Sequence, residues 1–405
     1  MENLNIVITG HVDHGKSTLI GRLFFDTGCF PKEKIDEIKA TCDMQGRDFE
    51  YAYILDALEE ERNQGITIDT TQTFFKTKKR QYTIIDAPGH IEFIKNMLTG
   101  ATQAEAAILV IDAEEGVREQ TRRHSYMLAL IGIKQVIAVI NKIDRVDYSE
   151  ARYNELKTKL TEIFESLKFE TYSFIPISAK KGDNIAIKSK NTDFYKGDIL
   201  LDTLDNIKKV SMESSEILCF PIQDVYRIDD KRIHVGRIES GVMKKNQDIY
   251  FLPSKKKSNV TGVEVFMKNV ESADKGECIG ITIKDSYFIE RGEVAANSPE
   301  ILKISDQIKA KIIWLDRKPY KLGDKIMINC VTQEKKCVIN IIENIVNTSD
   351  FTEKKSLDEI TQYESATVKI DIKGELVFYD FNIMPELGRF VLSRDNNVVA
   401  GGIIL

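Results

Sequence analysis

The stretch that most constrains this chain is a glycine-flanked loop close to its start. Residues 10–18 read Gly-His-Val-Asp-His-Gly-Lys-Ser-Thr, which fits the phosphate-loop pattern Gly-x4-Gly-Lys-Ser/Thr. The apolar run Asn5–Thr9 precedes the loop and a helical pattern begins at Thr18, so strand, loop and helix follow in the required order. The two glycines let the backbone curl so that its N–H groups point at phosphate oxygens. The chain is therefore predicted to bind a nucleotide.

The loop also supplies the side chains that such a site needs. Lys16 is expected to reach the β- and γ-phosphates, and the hydroxyl of Ser17 is expected to hold Mg²⁺. The N-terminus of the following helix adds a partial positive charge. The predicted nucleotide contacts of the loop are Gly10, His11, Val12, Asp13, His14, Gly15, Lys16, Ser17 and Thr18.

The composition fits a cytoplasmic protein of two or three domains, with 405 residues of which 42% are hydrophobic. A formal net charge of −6 gives no argument for nucleic-acid binding driven by net charge. The 6 cysteines are scattered, which favours reduced thiols over a disulfide framework. The first strand begins too early for a signal peptide, and apolar runs such as Ala106–Ile111 are too short to span a membrane.

Hydrophobic patterning predicts an α/β domain over residues 1–210. Strand-like and helix-like segments alternate there, which indicates a mostly parallel sheet with helices on both faces. Ligands bind such sheets at the carboxyl ends of the strands. The predicted strands are Asn5–Thr9, Gln72–Lys76, Gln81–Asp86, Ala106–Asp112, Gln135–Asn141 and Phe174–Ser178, and the predicted helices are Ile91–Leu98, Gln120–Leu130 and Glu150–Lys168.

Past about residue 212 the pattern changes to short strand-like runs separated by polar turns. Such spacing predicts two all-β barrels or sandwiches, one over residues 213–300 and one over 303–405. The polar segment Asn347–Glu364 is expected to be a surface loop.

A second cluster of site candidates is Asp86-Ala87-Pro88-Gly89-His90, which follows a predicted strand. Asp86 is expected near Mg²⁺, and the N–H of Gly89 is expected to approach the γ-phosphate. His90 is the predicted catalytic residue, placed to orient the attacking water; a packed core imidazole is the alternative. Thr67, upstream in a Gly-Ile-Thr-Ile run, is the candidate for completing the Mg²⁺ shell in the triphosphate state.

A third cluster points to the base. Asn141-Lys142-Ile143-Asp144 follows one strand and Ser178-Ala179-Lys180 follows the next. The carboxylate of Asp144 can accept both N–H donors of guanine, which adenine cannot supply, and a backbone N–H after Ser178 can meet the guanine carbonyl. Asn141 can meet the other edge of the purine. The predicted ligands are therefore GTP and Mg²⁺, and the predicted fold is an α/β P-loop GTPase domain followed by two β-barrels.

With these motifs in order, residues 1–180 resemble the translation-factor class of GTPases, the group of elongation factor Tu. Several stretches are most similar to the GTPase subunit of bacterial sulfate adenylyltransferase. They include Arg22–Thr27, Gln120–Ser125, Val146–Glu150, Gly182–Ala186, Phe220–Val225 and Leu252–Ser254.

That resemblance implies a GTPase that drives the formation of adenylyl sulfate, with ATP and sulfate bound on a separate small adenylyltransferase subunit as its partner. One feature departs from it, because His11 and His14 stand where that subunit family has other residues and translation factors have histidines. Two further hypotheses therefore stay open: an elongation factor-like GTPase that delivers aminoacyl-tRNA, and a GTPase switch with an unrelated partner.

Overall fold

The structure, a computed structural model, describes residues 2–54, 72–86, 104–208, 217–228, 231–265 and 268–405. The described residues divide into two compact units, one comprising those up to residue 208 and the other those from residue 217 onward. In the described ranges the first unit mixes strands and helices, whereas the second is almost wholly β.

The first unit is built on a six-stranded sheet. Its strands are β1 Glu2–Gly10, β2 Gln72–Lys76, β3 Arg80–Asp86, β4 Ala106–Asp112, β5 Gln135–Asn141 and β6 Thr171–Pro176. Its described helices are α1 Lys16–Asp26, α2 Lys32–Met44, α3 Glu119–Leu130, α4 Glu150–Ser166 and α5 Leu200–Asp205, with a 3-10 turn at Ile143–Val146.

The strand order is β2-β3-β1-β4-β5-β6, in which β2 is antiparallel to β3 and the other pairings are parallel. Every residue of β4 is buried. Because successive side chains of a strand point to opposite faces, both faces of the sheet are covered at this strand. Strand β1 lies in the centre between β3 and β4, so the crevice at its carboxyl end is where this kind of sheet binds ligands.

The second unit contains two antiparallel β structures in sequence. The first comprises β7 Phe220–Ile228, β8 Lys231–Arg237, β9 Val242–Lys244, β10 Asp248–Leu252, β11 Lys256–Val265, β12 Lys268–Val270, β13 Ser272–Asp274, β14 Cys278–Ile283 and β15 Val294–Ala296. Its main sheet runs β10-β15-β7-β8-β14-β11-β12, and β11 also pairs with β10. This extra pairing closes the ring of strands, and we refer to it as the first barrel.

The second barrel is closed by the order β16-β21-β19-β18-β22-β23, with β23 pairing back to β16. Its elements are β16 Lys303–Trp314, β17 Tyr320–Lys321, β18 Lys325–Cys330, β19 Gln333–Asn347, β20 Glu359–Ile360, β21 Glu364–Phe378, α6 Pro385–Gly388, β22 Arg389–Arg394 and β23 Asn397–Ile404.

Each barrel has its own apolar core, and a third apolar cluster joins them. That cluster includes Cys219 and Val294 from the first barrel with Val377 and Leu387 from the second. An ion pair between Lys275 and Glu386, 3.2 Å apart, adds a polar contact across the same junction. The two barrels therefore pack as one body.

The predicted fold class, an α/β P-loop GTPase domain followed by two β-barrels, is confirmed. The boundaries 1–210, 213–300 and 303–405 stay predictions, and the helix predicted at Ile91–Leu98 lies outside the described residues. All cysteines of the chain are free thiols. No helix in the described ranges is both long and apolar enough to cross a bilayer.

The second barrel yields a stability prediction. Trp314 is the single tryptophan of the chain and is 0% exposed. Its Nε1 donates to the carbonyl of Lys318 at 2.9 Å. Trp314→Ala should lower the free energy of unfolding by about 3–5 kcal/mol, because it leaves a cavity and an unpaired carbonyl. Ile383→Ala, at a side chain 58% exposed, should change it by less than about 1 kcal/mol. Urea unfolding followed by far-UV circular dichroism compares the two variants, and equal midpoints would contradict the assignment of Trp314 to the core.

Candidate nucleotide-binding site

The phosphate loop lies between the end of β1 at Gly10 and the start of α1 at Lys16. Gly15 has a φ of 90°, in the left-handed region that favours glycine, and a Cβ there would overlap the amide nitrogen of Asn141. A Cβ at Gly10 would overlap the carbonyl oxygen of Val110 on β4. Both glycines are therefore required by close packing as well as by the curl of the loop.

The side chain of Lys16 folds back over the loop. Its Nζ donates to the carbonyls of Gly10 at 2.8 Å and His11 at 2.9 Å. These bonds hold the ammonium group against the phosphate loop, and its contact with β- and γ-phosphate oxygens stays a prediction. Ser17 is exposed on the first turn of α1 and Thr18 is partly buried behind it.

Asn141, at the end of β5, connects the phosphate loop to the loop after β6. Its side chain is 2% exposed. The amide nitrogen donates to the carbonyl of His14 at 2.8 Å, and the amide oxygen accepts from the N–H of Ala179 at 3.0 Å. The sequence suggested that Asn141 meets an edge of the purine; in the structure both polar atoms of its side chain bond to protein, so it positions the loops.

Lys142 forms a second connection to the phosphate loop. Its Nζ donates to the carbonyl of Asp13 at 2.6 Å and lies 2.7 Å from Oδ2 of Asp112. Burial alone would raise the pKa of Asp112, but hydrogen bonds from Lys142 and from the N–H of Glu114 outweigh it and hold that pKa below its usual value. Asp112 is thus an ionised anchor for the lysine.

Asp144 lies in the 3-10 turn that follows, with its side chain 15% exposed. Its Oδ2 lies 3.6 Å from Nζ of Lys181, which also stands 3.4 Å from the hydroxyl of Tyr148. Sequence reasoning missed Lys181; the available signal was the doubled lysine after Ala179. Lys181 thus places a positive charge beside the carboxylate that is predicted to read guanine.

The other residues predicted to surround the guanine base lie at the same edge of the sheet. Ser178 is 1% exposed and its hydroxyl accepts from the N–H of Lys181 at 3.2 Å, whereas Lys180 is exposed. Ile143 is fully buried. The structure therefore brings the phosphate loop, the turn of Asp144 and the loop after β6 together at the carboxyl ends of the strands.

The structure describes only part of the second group of predicted site residues, those expected near Mg²⁺ and the γ-phosphate. The backbone of Asp86 ends β3 in register with Ile8 of β1, beside the phosphate loop, but its carboxylate is not among the described atoms. Thr67, Ala87, Pro88, Gly89 and His90 lie outside the described residues, so their roles stay predictions.

His14 lies behind the loop and is 0% exposed. Burial lowers the pKa of its imidazole, and the carbonyl of Val110 and the carboxylate of Glu115 oppose that shift only in part. The ring is thus neutral at physiological pH. Its Nδ1 lies 3.2 Å from the oxygen of Val110, which ties the loop to β4.

Three family models together match nearly the whole chain. The elongation factor Tu GTP binding domain matches residues 1–212, elongation factor Tu domain 2 matches 232–296, and the GTP-eEF1A C-terminal domain-like family matches 307–405. The protein named elongation factor 1-alpha of Thermoplasma acidophilum is 38% identical over 99% of this chain and 97% of its own length. The chain belongs to the elongation factor Tu/1-alpha family of GTPases. It is accordingly a GTP-binding protein and a GTPase.

A second member of the family, elongation factor 1-alpha of Methanoculleus marisnigri, is 34% identical over 100% of this chain and 97% of its own length. A solved structure of Sup35 complexed with GDP is 23% identical, covers 100% of this chain and 94% of that chain, and has a TM-score of 0.46. That structural similarity supports no inference about function.

The family relationships correct the main functional expectation from the sequence. The prediction of a sulfate adenylyltransferase subunit is wrong, because the full-length relatives at 34% and 38% identity are named elongation factor 1-alpha. The predicted partner, a small adenylyltransferase subunit carrying ATP and sulfate, is wrong with it. His11 and His14 were the informative signal, since they already departed from the loop of that subunit family.

The position of Asp144 generates a test of base recognition. Asp144→Asn should weaken GDP binding at least tenfold and favour xanthosine diphosphate, because the amide can donate to the carbonyl that xanthine has in place of the amine of guanine. Competition titration against a fluorescent guanine nucleotide measures both affinities. Asp147→Asn, at an exposed carboxylate of the same turn, is the matched control and should leave the preference unchanged. An unaltered preference in the Asp144 variant would remove it from base recognition.

Proposed function

We propose that this GTPase delivers aminoacyl-tRNA to the ribosome in a GTP-dependent cycle. The observation that carries the proposal is the similarity to proteins named elongation factor 1-alpha at 34–38% identity, which extends through the GTPase domain and both barrels. A GTPase with an unrelated partner would not need to share the barrels. The proposal implies a cytoplasmic location, where tRNA and ribosomes meet.

On the nucleotide side, we propose that Mg²⁺ is held through Ser17, Asp86 and Thr67. The donor set fits, because hydroxyl and carboxylate oxygens are the ligands that Mg²⁺ prefers, and Ser17 is exposed at the start of α1 while the backbone of Asp86 ends β3 beside β1. When bound, the ion would neutralise charge on the phosphates. Lys16 contributes a second positive charge at the same place.

A cavity of about 450 Å³ on the first barrel suits the aminoacylated end of a tRNA. Tyr226 and Ile228, each 53% exposed, line it together with Asp224, Glu264 and Arg291. Splayed-out bases bind to proteins by stacking on aromatic side chains and by hydrogen bonds to their edges. The tyrosine ring offers the stacking surface, and the two carboxylates can accept from ribose hydroxyls or an adenine amine.

An adjoining cavity of about 600 Å³ shares Glu264 with the first and is lined by Arg227, Lys231 and Arg232. Cationic side chains beside a base-stacking surface suit the phosphates of the same single-stranded end. By contrast, Lys257 of the Lys255–Lys257 run lies 2.8 Å from Asp248, so that run is partly neutralised within the barrel. We therefore propose that these two cavities bind the single-stranded end of the tRNA.

Tyr226 gives the first test of this function. Tyr226→Ala should weaken binding of aminoacyl-tRNA to the GTP form about tenfold, because base–aromatic stacking contributes about 1–3 kcal/mol. GDP affinity should not change. Binding is measured as protection of the aminoacyl ester from spontaneous hydrolysis, with the GTP and GDP forms compared.

Tyr250→Ala is the matched control, since this aromatic residue is on β10 of the same barrel, is only partly buried and lines neither cavity. Failure of the wild-type GTP form to protect the ester would reject the delivery function. Protection that is equal in wild type and the Tyr226 variant would reject only the assignment of the cavity.

His90 gives the second test. His90→Ala should keep GTP affinity but slow ribosome-stimulated hydrolysis by about 10²–10⁴-fold, as expected for the loss of a group that positions water. Single-turnover hydrolysis with programmed ribosomes and aminoacyl-tRNA measures this step. Unchanged hydrolysis would exclude His90 from the mechanism, and a wild-type rate that ribosomes do not stimulate would favour a GTPase with another partner.

A further inference from the structure

Three potential metal ligands converge behind the phosphate loop. His11 and His14 belong to the loop, and Glu115 belongs to the turn between β4 and α3. One ligand atom from each, a ring nitrogen or a carboxylate oxygen, lies within 4.8 Å of the other two. The turn and the loop are far apart in sequence, so the parallel pairing of β1 with β4 creates this cluster.

The orientation of His14 leaves one nitrogen available inside the protein. Its Nδ1 lies 3.2 Å from the carbonyl oxygen of Val110. Because a carbonyl can only accept, Nδ1 carries the hydrogen and Nε2 carries the lone pair. The ring is 0% exposed, and Nε2 has no hydrogen-bond partner in the described part of the chain. A buried polar atom without a partner is costly, so this nitrogen needs a ligand.

The tautomer of His11 is fixed by the same kind of contact. Its Nδ1 lies 2.8 Å from the carbonyl oxygen of Val12, so Nε2 again carries the lone pair. Histidines that bind metals usually donate their second N–H to a carbonyl or carboxylate, which fixes the tautomer and the ring orientation. Both histidines of the loop therefore have the outer contact that metal-binding histidines require.

Glu115 completes the set with a negative charge. Its Oε2 lies 3.5 Å from Nε2 of His14, and its side chain is 39% exposed. The guanidinium of Arg118 is more distant, at 3.9 Å, and is itself 59% exposed, so it competes weakly for the carboxylate. The partial exposure of Glu115 also gives a cation a way in from solvent.

We propose that His11, His14 and Glu115 form a binding site for a divalent transition-metal ion, with Zn²⁺ as the best fit. Two imidazoles and a carboxylate are a known three-residue set for zinc, whereas Mg²⁺ and Ca²⁺ prefer oxygen ligands. Bonds of about 2.1 Å at tetrahedral angles place neighbouring ligand atoms about 3.4 Å apart. The observed separation of 3.5 Å between His14 and Glu115 matches that edge.

His11 becomes the third ligand only after a small rotation of its ring. The rings of His11 and His14 have centroids 5.2 Å apart and planes tilted by 51°. His11 is only partly buried, so its ring can rotate toward the other two ligands without displacing the core. Three protein ligands leave one tetrahedral position for water. A bound ion would link the phosphate loop to the β4–α3 turn, independently of the ion that accompanies the nucleotide.

The test uses the full-length protein with GDP and excess Mg²⁺, stripped of other metals by a chelator and then titrated with ZnCl₂ in a calorimeter. Wild type should bind one Zn²⁺ per chain with micromolar or tighter affinity. Glu115→Gln and His11→Ala should each lose at least tenfold in affinity. Both side chains are at least partly exposed, so neither substitution is expected to disturb folding. His14→Gln changes a fully buried ring, so its Zn²⁺ affinity is compared together with its melting temperature.

Glu114→Gln is the matched control, because this neighbouring carboxylate is 63% exposed and is not part of the cluster. It should bind Zn²⁺ as wild type does. When Co²⁺ replaces Zn²⁺, its absorption spectrum reports the ligand type and geometry. We expect the spectrum of a tetrahedral site without a thiolate charge-transfer band. Equal affinity in wild type and Glu115→Gln, a thiolate band, or no binding at micromolar Zn²⁺ would each overturn the proposal.

Discussion

The buried amide of Asn141 holds the candidate site together. One side chain bonds to the phosphate loop through the carbonyl of His14 and to the loop after β6 through the N–H of Ala179. Leaving either backbone group unpaired inside the protein would cost about 1–3 kcal/mol. The close approach of this amide also explains Gly15, because any side chain there would occupy the position of the nitrogen.

The pair formed by Lys142 and Asp112 adds a charged connection at the same edge of the sheet. Asp112 is 2% exposed in its side chain, so the pair gives up much of its hydration. Buried ion pairs often contribute little net stability, because desolvation offsets their attraction. Here the lysine also donates to the carbonyl of Asp13, which gives the pair a positioning role. The loops predicted to face the nucleotide are thus ordered by contacts within the protein, which would reduce the entropy lost on binding.

The sequence predicted those parts of the molecule that depend on local patterns. The continuous apolar run of β4 and the glycines of the loop each have a single physical explanation, so the parallel sheet and the phosphate loop were foreseeable. The contacts of Lys181 and Glu115 were not, because they depend on which loops meet at the sheet edge. The positions of Asp144 and Asn141 were predicted, but only the structure shows that the amide of Asn141 is used inside the protein. The relatives, and not the motifs, corrected the assignment of the subfamily, since residues predicted to read guanine do not identify a partner.

The central position of β1 has a consequence for how the chain acquires its structure during synthesis. Strand β1 is made first, but its partners are β3, from Arg80 onward, and β4, where Gly10 pairs with Val110. At a synthesis rate of about 5–20 residues per second, several seconds pass between the synthesis of β1 and that of its partners, and its apolar residues stay unpaired during that time. In the second barrel, β18 and β19 pair through a short hairpin as soon as both are made, but closure joins Ala310 of β16 to Ile404 of β23, a sequence separation similar to that of Gly10 and Val110. Strands β1 and β16, whose sheet neighbours are all made later, are therefore the segments that need protection while the chain emerges.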